Sequence, residues 1–124
     1  MILVDTSVWI DHFREADNQL TQLLIDGLVL MHPAIIGELA CGNLQKRQQI
    51  LLLLDNMPKA KQASDDEVLY FIEQNQLMGK GIGYIDAQLL ASTALTHATQ
   101  LLTRDKRLGK SAKNLGLDAS FLVN

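Results

Sequence analysis

Only one cysteine, Cys41, and two prolines occur among the 124 residues. A lone thiol closes no internal disulfide and builds no zinc site of the Cys-Cys kind, so a reducing, cytoplasmic setting is the expectation. Aromatic residues make up 5% of the chain, too few for a base-stacking platform of the single-strand-binding type. Basic residues are not in excess either. Eleven Lys and Arg against fourteen Asp and Glu leave a net charge of −3, which argues against an indiscriminate nucleic-acid binder. The longest aliphatic run, Ile50-Leu51-Leu52-Leu53-Leu54, is far short of a membrane span. No basic region precedes the short apolar run in Met-Ile-Leu-Val-Asp, so no secretory signal is expected there. Repeats, low-complexity tracts and linkers are absent from the sequence. What is present is a composition 48% hydrophobic and 20% charged, enough for a buried core in one domain, residues 1–124.

Short apolar runs alternate with longer helical patterns, the signature of an α/β chain whose parallel sheet is flanked by helices. Ile2-Leu3-Val4, closed by Asp5, reads as a buried first strand, and Leu28-Val29-Leu30-Met31 as another. Helical spacing covers Ser7 to Phe13, and a second helix carries Leu20, Leu23 and Leu24 and stops at Gly27. Pro33 suits the first position of a helix that holds Ile35, Ile36, Glu38 and Leu39. A further helix covers residues 45–55, and Lys59-Ala60-Lys61 reads as a short strand. Asp65-Asp66-Glu67 starts another helix, where acids suit the dipole. Gly79, Gly81 and Gly83 mark a flexible connection into a long helix from about Tyr84 to His97, with Ile85, Leu89, Leu90 and Leu95 inward. A strand at Gln100–Thr103, a basic helix at 105–115 and a last strand at Ser120-Phe121-Leu122-Val123 complete the pattern.

Four acids fall where such a sheet presents its ligand-binding edge, beyond the carboxyl ends of the strands. Asp5 directly follows the first strand, and fits either a site or a helix N-cap. Asp105 repeats the arrangement after Leu101-Leu102-Thr103-Arg104, with the same two roles open. Asp86 lies in the first turn of the long helix, where dipole complementarity and a site explain it equally well. Glu38 stands alone among Ile35, Ile36, Gly37, Leu39 and Ala40, whereas a solvated face would carry more charge, which favours a functional role. His12, His32 and His97 show no metal-ligand spacing with one another; His97 suits a helix end.

If those four acids converge, their chemistry is restricted. Two carboxylates ~5 Å apart repel by roughly 3 kcal/mol at an effective dielectric of 20. Four such groups remain ionised only with cations between them, and an all-oxygen cage selects hard magnesium or manganese (Mg²⁺ or Mn²⁺). Such an ion suits phosphodiester hydrolysis. One Mg²⁺ brings the net charge to −1 and two bring it to +1. Arg104, Lys106, Arg107, Lys110 and Lys113 also place five of the eleven bases in ten residues beside Asp105. A solvated helix face is the commoner meaning of such a run, but its position next to a candidate metal acid favours a phosphate-backbone track.

These residues resemble the PIN-domain ribonucleases, and most closely the VapC-type toxins of bacterial toxin–antitoxin modules. Ile2-Leu3-Val4-Asp5-Thr6-Ser7 is similar to the family's first motif, and Glu38 in Ile36-Gly37-Glu38-Leu39 to its helical glutamate. Gly83-Tyr84-Ile85-Asp86-Ala87-Gln88 and Thr103-Arg104-Asp105-Lys106-Arg107-Leu108 resemble its third and fourth acidic motifs. The resemblance covers nearly the whole chain. It implies an α/β/α sandwich with a central, mainly parallel sheet, and a Mg²⁺- or Mn²⁺-dependent endoribonuclease that inhibits growth. Asp5, Glu38, Asp86 and Asp105 would be its metal-binding catalytic acids, with Ser7 and Thr103 as supporting hydroxyls and Arg104, Lys106, Arg107 and Lys110 toward RNA. It further implies a VapB-like antitoxin partner lying across the active-site groove, and a homodimer. Thr6 and Ser7 also suit helix caps, and Trp9 and Phe13 suit either the core or a partner surface.

Two other readings compete. In a phosphoacceptor signalling domain of the response-regulator type, Leu51-Leu52-Leu53-Leu54-Asp55 would be a strand ending in the modified aspartate. Against it, Thr6 rather than an acid follows Asp5, Thr103-Arg104-Asp105 stands where a lysine is required, and Gln45-Lys46-Arg47-Gln48-Gln49 favours a helix running into Leu54. The other keeps the PIN fold but binds RNA or protein without catalysis; the intact acids argue against it.

Overall fold

The computed structural model describes residues 1–119. The chain runs β1 (Ile2–Val4), α1 (Thr6–Arg14), α2 (Asn18–Ile25), β2 (Val29–Leu30), α3 (Pro33–Ala40), α4 (Arg47–Asp55), α5 (Asp65–Asn75), α6 (Tyr84–Leu95), β3 (Gln100–Leu102) and α7 (Lys106–Asn114). All three residues of β1 are buried, as a strand covered on both faces requires. β1 is the centre of a parallel sheet ordered β2-β1-β3, with Ile2 opposite Val29 and Gln100, and Val4 opposite Leu102. The architecture is the α/β/α sandwich, in which α1 contacts α3, α3 packs on α4, α5 packs on α6, and α6 lies against β3. The core centres on Leu3, Val4, Met31, Leu90, Leu101 and Leu108.

Local chemistry accounts for the element ends. Asp17 caps α2 by accepting from the Leu20 amide, and Ser64 and Glu67 close a reciprocal capping box on α5. Pro33 opens α3, where its missing N–H costs nothing. The Leu51–Leu54 run lies within α4, with Asp55 at the end of that helix, so it is not the strand that the phosphoacceptor reading requires. The strand expected at 59–61 reduces to one parallel bridge, Met31 with Lys59, and the strand expected at Ser120–Val123 lies outside the described residues.

α6 corrects the expected inward face. Ile85 and Leu95 are exposed, whereas Ala87, Leu89, Leu90, Ala91, Ser92 and Thr93 are buried. Asp86, Gln88, Ser92 and Thr93 are spread round the helix and form no polar face to orient it by pattern, and here small side chains decide: Ala87 and Ala91 cluster with Ala63 and Val68 where α5 meets α6. The helix also stops at Leu95, because Thr96 is extended and Ala98 is left-handed (φ 49°), so His97 lies beyond its end. Among the described residues no helix is long and apolar enough to cross a membrane.

Candidate active site

With β1 between β2 and β3, the order of the sheet reverses between β1 and β3, and beyond the carboxyl ends of those two strands lies the crevice that open α/β sheets use for ligands. Asp5 leaves β1 there, its amide donating to Leu102 O at 2.9 Å. It occupies the N-cap position of α1 but makes no side-chain cap, so its carboxylate serves something else. Ser7 Oγ donates to Asp5 Oδ2 at 2.8 Å and Thr103 Oγ1 donates to the same oxygen at 2.7 Å. Those hydroxyls accept in turn from the amides of Arg104 (3.0 Å) and Asp105 (3.1 Å). The Asp5 side chain is buried yet oriented by the two hydroxyls on its Oδ2. Trp9 secures the same corner from the core, donating through Nε1 to Val4 O at 3.1 Å. Phe13, packed 5.8 Å from the Trp9 ring, remains exposed.

The other acids arrive from helix starts and a helix face. Asp105 does cap α7, accepting from the Leu108 amide at 2.9 Å. Glu38 is exposed on α3 and accepts from Thr6 Oγ1 at 2.7 Å, a hydroxyl on the turn that also carries Asp5 and Ser7. Asp86 sits in the first turn of α6 and accepts from the Gly83 amide at 3.3 Å. Burial pushes the Asp86 carboxyl above its ordinary pKa; the Gly83 amide opposes this, and the charges of Asp5, Asp105 and Glu38 reinforce it. Asp86 therefore stands within the field of all three other acids. In the positions the side chains adopt, no three acids among the described residues stand close enough to share one ion, each carboxylate being held by its own donor.

Cations border this acidic crevice. Lys106, Arg107 and Lys110 are exposed on α7 while Leu108, Ser111 and Ala112 face inward. The Arg107 side chain lies against Gly81, whose left-handed backbone (φ +76°) favours glycine there. Arg104 differs from its neighbours: its guanidinium donates to Asp11 Oδ2 at 2.6 Å and to Asp17 Oδ2.

Sequence reasoning did not find the bond from Thr6 to Glu38, the two partners of Arg104, or the role of His32. His32 is buried at the N-cap of α3, its Nδ1 accepting from the Ala34 amide at 3.0 Å and its Nε2 lying 3.1 Å from Ser92 Oγ on α6. The acceptor role of Nδ1 places the ring proton on Nε2, and burial holds the imidazole below its usual pKa. Ser92 passes the chain on to Gln88 Oε1 at 2.7 Å, so the network joins the helix of Glu38 to the helix of Asp86. Pro33 at a first helical position was the available signal, since the residue before it must be the cap.

A sequence model described as "PIN domain" matches residues 2–114 of this chain. Two curated relatives, each named Ribonuclease VapC32 and drawn from two strains of Mycobacterium tuberculosis, are 45% identical over 117 residues, 94% of this chain and 94% of theirs. The chain therefore belongs to the PIN-domain family, among its VapC-type members.

Proposed function

We propose that this chain is an endoribonuclease that hydrolyses RNA phosphodiester bonds with Mg²⁺ or Mn²⁺, acting in the cytoplasm as the toxin of a toxin–antitoxin pair and inhibiting translation and growth. The observation that supports the reading is Asp86 at the head of α6, whose charge is disfavoured by burial and, further, by the fields of Asp5, Asp105 and Glu38 from three other segments. An all-oxygen donor set under mutual repulsion suits a hard divalent ion. Asp5, Glu38, Asp86 and Asp105 would hold it. When bound, such an ion supplies Lewis-acid activation of the phosphoryl group and of the attacking water.

The chain's own residues do the rest. Ser7 and Thr103 aim Asp5 by spending both hydroxyl protons on Oδ2, and Thr6 aims Glu38. Lys106, Arg107 and Lys110, exposed on α7, meet backbone phosphates of the RNA. Arg104, their neighbour, has its charge engaged by Asp11 and Asp17. We infer a VapB-like antitoxin as the regulating partner and a homodimer as the working assembly. An apolar cleft of about 390 Å³ lined by Trp9, Phe13, Leu24, Leu53, Met57 and Pro58 supports a protein partner on that side.

Inducing this chain alone in bacteria and mapping new RNA ends tests the reading. Growth arrest with discrete new ends, lost with Asp5→Asn, is expected; arrest without new ends overturns it. Reversing Lys106 and Arg107 to glutamate should weaken RNA binding more at low salt than at high salt, and equal losses at both would remove them from the phosphate track.

A further inference from the structure

Thr103, Arg104 and Asp105 are consecutive, and the outer two act at the crevice: Thr103 donates to Asp5, and Asp105 opens α7. Between them, the Arg104 amide donates to Ser7 Oγ at 3.0 Å, while its side chain turns away to the other end of α1. One guanidinium nitrogen donates to Asp11 Oδ2 on α1 at 2.6 Å, and the other to Asp17 Oδ2 at the head of α2. Asp17 cannot follow a wandering arginine. Its Oδ1 accepts from the Leu20 amide at 2.9 Å, its own amide donates to His12 Nδ1 at 3.0 Å, and its side chain is only 15% exposed. The backbone bond to Leu20, foremost, and the Arg104 bond hold the Asp17 carboxyl below its ordinary pKa against the opposing effect of burial. A lone exposed ion pair contributes little. A planar fork shared by two acids, one of them fixed by a helix cap, also sets direction.

We propose that Arg104 is a positioning residue: its clamp on Asp11 and Asp17 ties the α1–α2 turn to the β3–α7 loop and so holds Thr103 and Asp105 in register with Asp5. The proposal rests on the reading of the crevice as the cleavage site, and it removes Arg104 from the phosphate track. Clamp and phosphate contact predict opposite signs. Were Arg104 a phosphate ligand, neutralising Asp11 and Asp17 would free its charge, tighten RNA binding and spare turnover. As a clamp, it loses its anchor and turnover falls.

The test uses the full chain with Asp11→Asn/Asp17→Asn, Arg104→Met and the three changes together; Asn at 17 keeps a side-chain acceptor for the α2 cap. On a single-stranded RNA oligonucleotide, kcat falls by about tenfold to a hundredfold in each variant, with KM within about twofold. The combined variant is no worse than the more impaired parent, because all three changes cut one connection. Arg104→Lys, a point charge that cannot fork across both acids, recovers part of the loss. Amide hydrogen exchange on the protein alone supplies a readout independent of catalysis. In the Asp11→Asn/Asp17→Asn protein the amides of Arg104 and Asp105 exchange about tenfold faster or more, while the Leu101 amide, bonded to Leu117 O at 2.7 Å, keeps its protection. Unchanged exchange at Arg104 and Asp105 overturns the clamp, as does unchanged kcat in that variant. A drop of about 1 in the salt slope of RNA binding for Arg104→Met would instead place the residue on a phosphate and also overturn it. If the unaltered protein cleaves no RNA, the reading of the crevice fails, and exchange still decides the clamp.

Discussion

The two halves of the acidic crevice are built differently. On the β1/β3 side, Asp5 is 6% exposed, its Oδ2 holds two hydroxyls at 2.8 and 2.7 Å, and its amide is tied to the neighbouring strand. On the α3/α6 side, Glu38 is exposed with one hydroxyl, and Asp86 has one amide at 3.3 Å, too little to offset its burial and the three acids around it. The first half is therefore pre-organised by hydrogen bonds, and in the other Asp86 carries a charge that its single hydrogen bond does not relieve. Strain of that kind belongs at functional sites, where stability is exchanged for chemistry. A divalent ion would relieve it.

The asymmetry can be broken most forcefully at the hydroxyls. Ser7→Ala with Thr103→Val should cost about tenfold to a hundredfold in RNA cleavage, the scale of lost outer-shell support, whereas Thr6→Val should cost less than about tenfold. Equal losses would dissolve the distinction between the halves.

A smaller effect concerns stability. The folded pKa of Asp86 lies above its unfolded value of 3.8, so the folded state binds more protons over that interval and loses stability as pH rises through it. Without divalent ions, Asp86→Asn should therefore raise the melting temperature by a few degrees at pH 7, with the gain vanishing below the unfolded pKa. A lower melting temperature at pH 7 would mean that the charge is stabilising.

The smallest effect is at His32, whose folded pKa lies below the unfolded 6.5. Its neutral form contributes stability above pH 6.5, and that contribution declines as pH falls below it, because the unfolded chain then binds the extra proton. His32→Asn keeps an acceptor for the Ala34 amide and should flatten the stability profile between about pH 7 and pH 5, measured by chemical denaturation. Identical slopes in both proteins would exclude His32 as the origin.

What was legible in the sequence was local. Three apolar residues running into Asp5, Pro33 at a helix start and an acidic first turn on α5 each state their conformation within a few positions. The Leu51–Leu54 run was ambiguous alone and was decided by its neighbours, Arg47 to Gln49, which carry it into α4. The outward turn of Ile85 and Leu95 was not legible, because small residues on α6, not its periodicity, determine how closely α5 approaches. Nor were the partnerships around the crevice. Thr6 and Glu38 are 32 positions apart, His32 and Ser92 are 60 apart, and Arg104 and Asp11 are 93 apart. A basic run beside Asp105 announces charge, but which arginine is neutralised by a distant acid is decided only by folding.

The most direct measurement is cleavage of a single-stranded RNA oligonucleotide by the purified protein across a Mg²⁺ or Mn²⁺ titration, with and without chelator, for the unaltered chain and Asp5→Asn. Discrete products that appear with the ion, disappear with the chelator and are absent from Asp5→Asn are the predicted result. Undiminished cleavage under chelation, or by Asp5→Asn, would contradict the account.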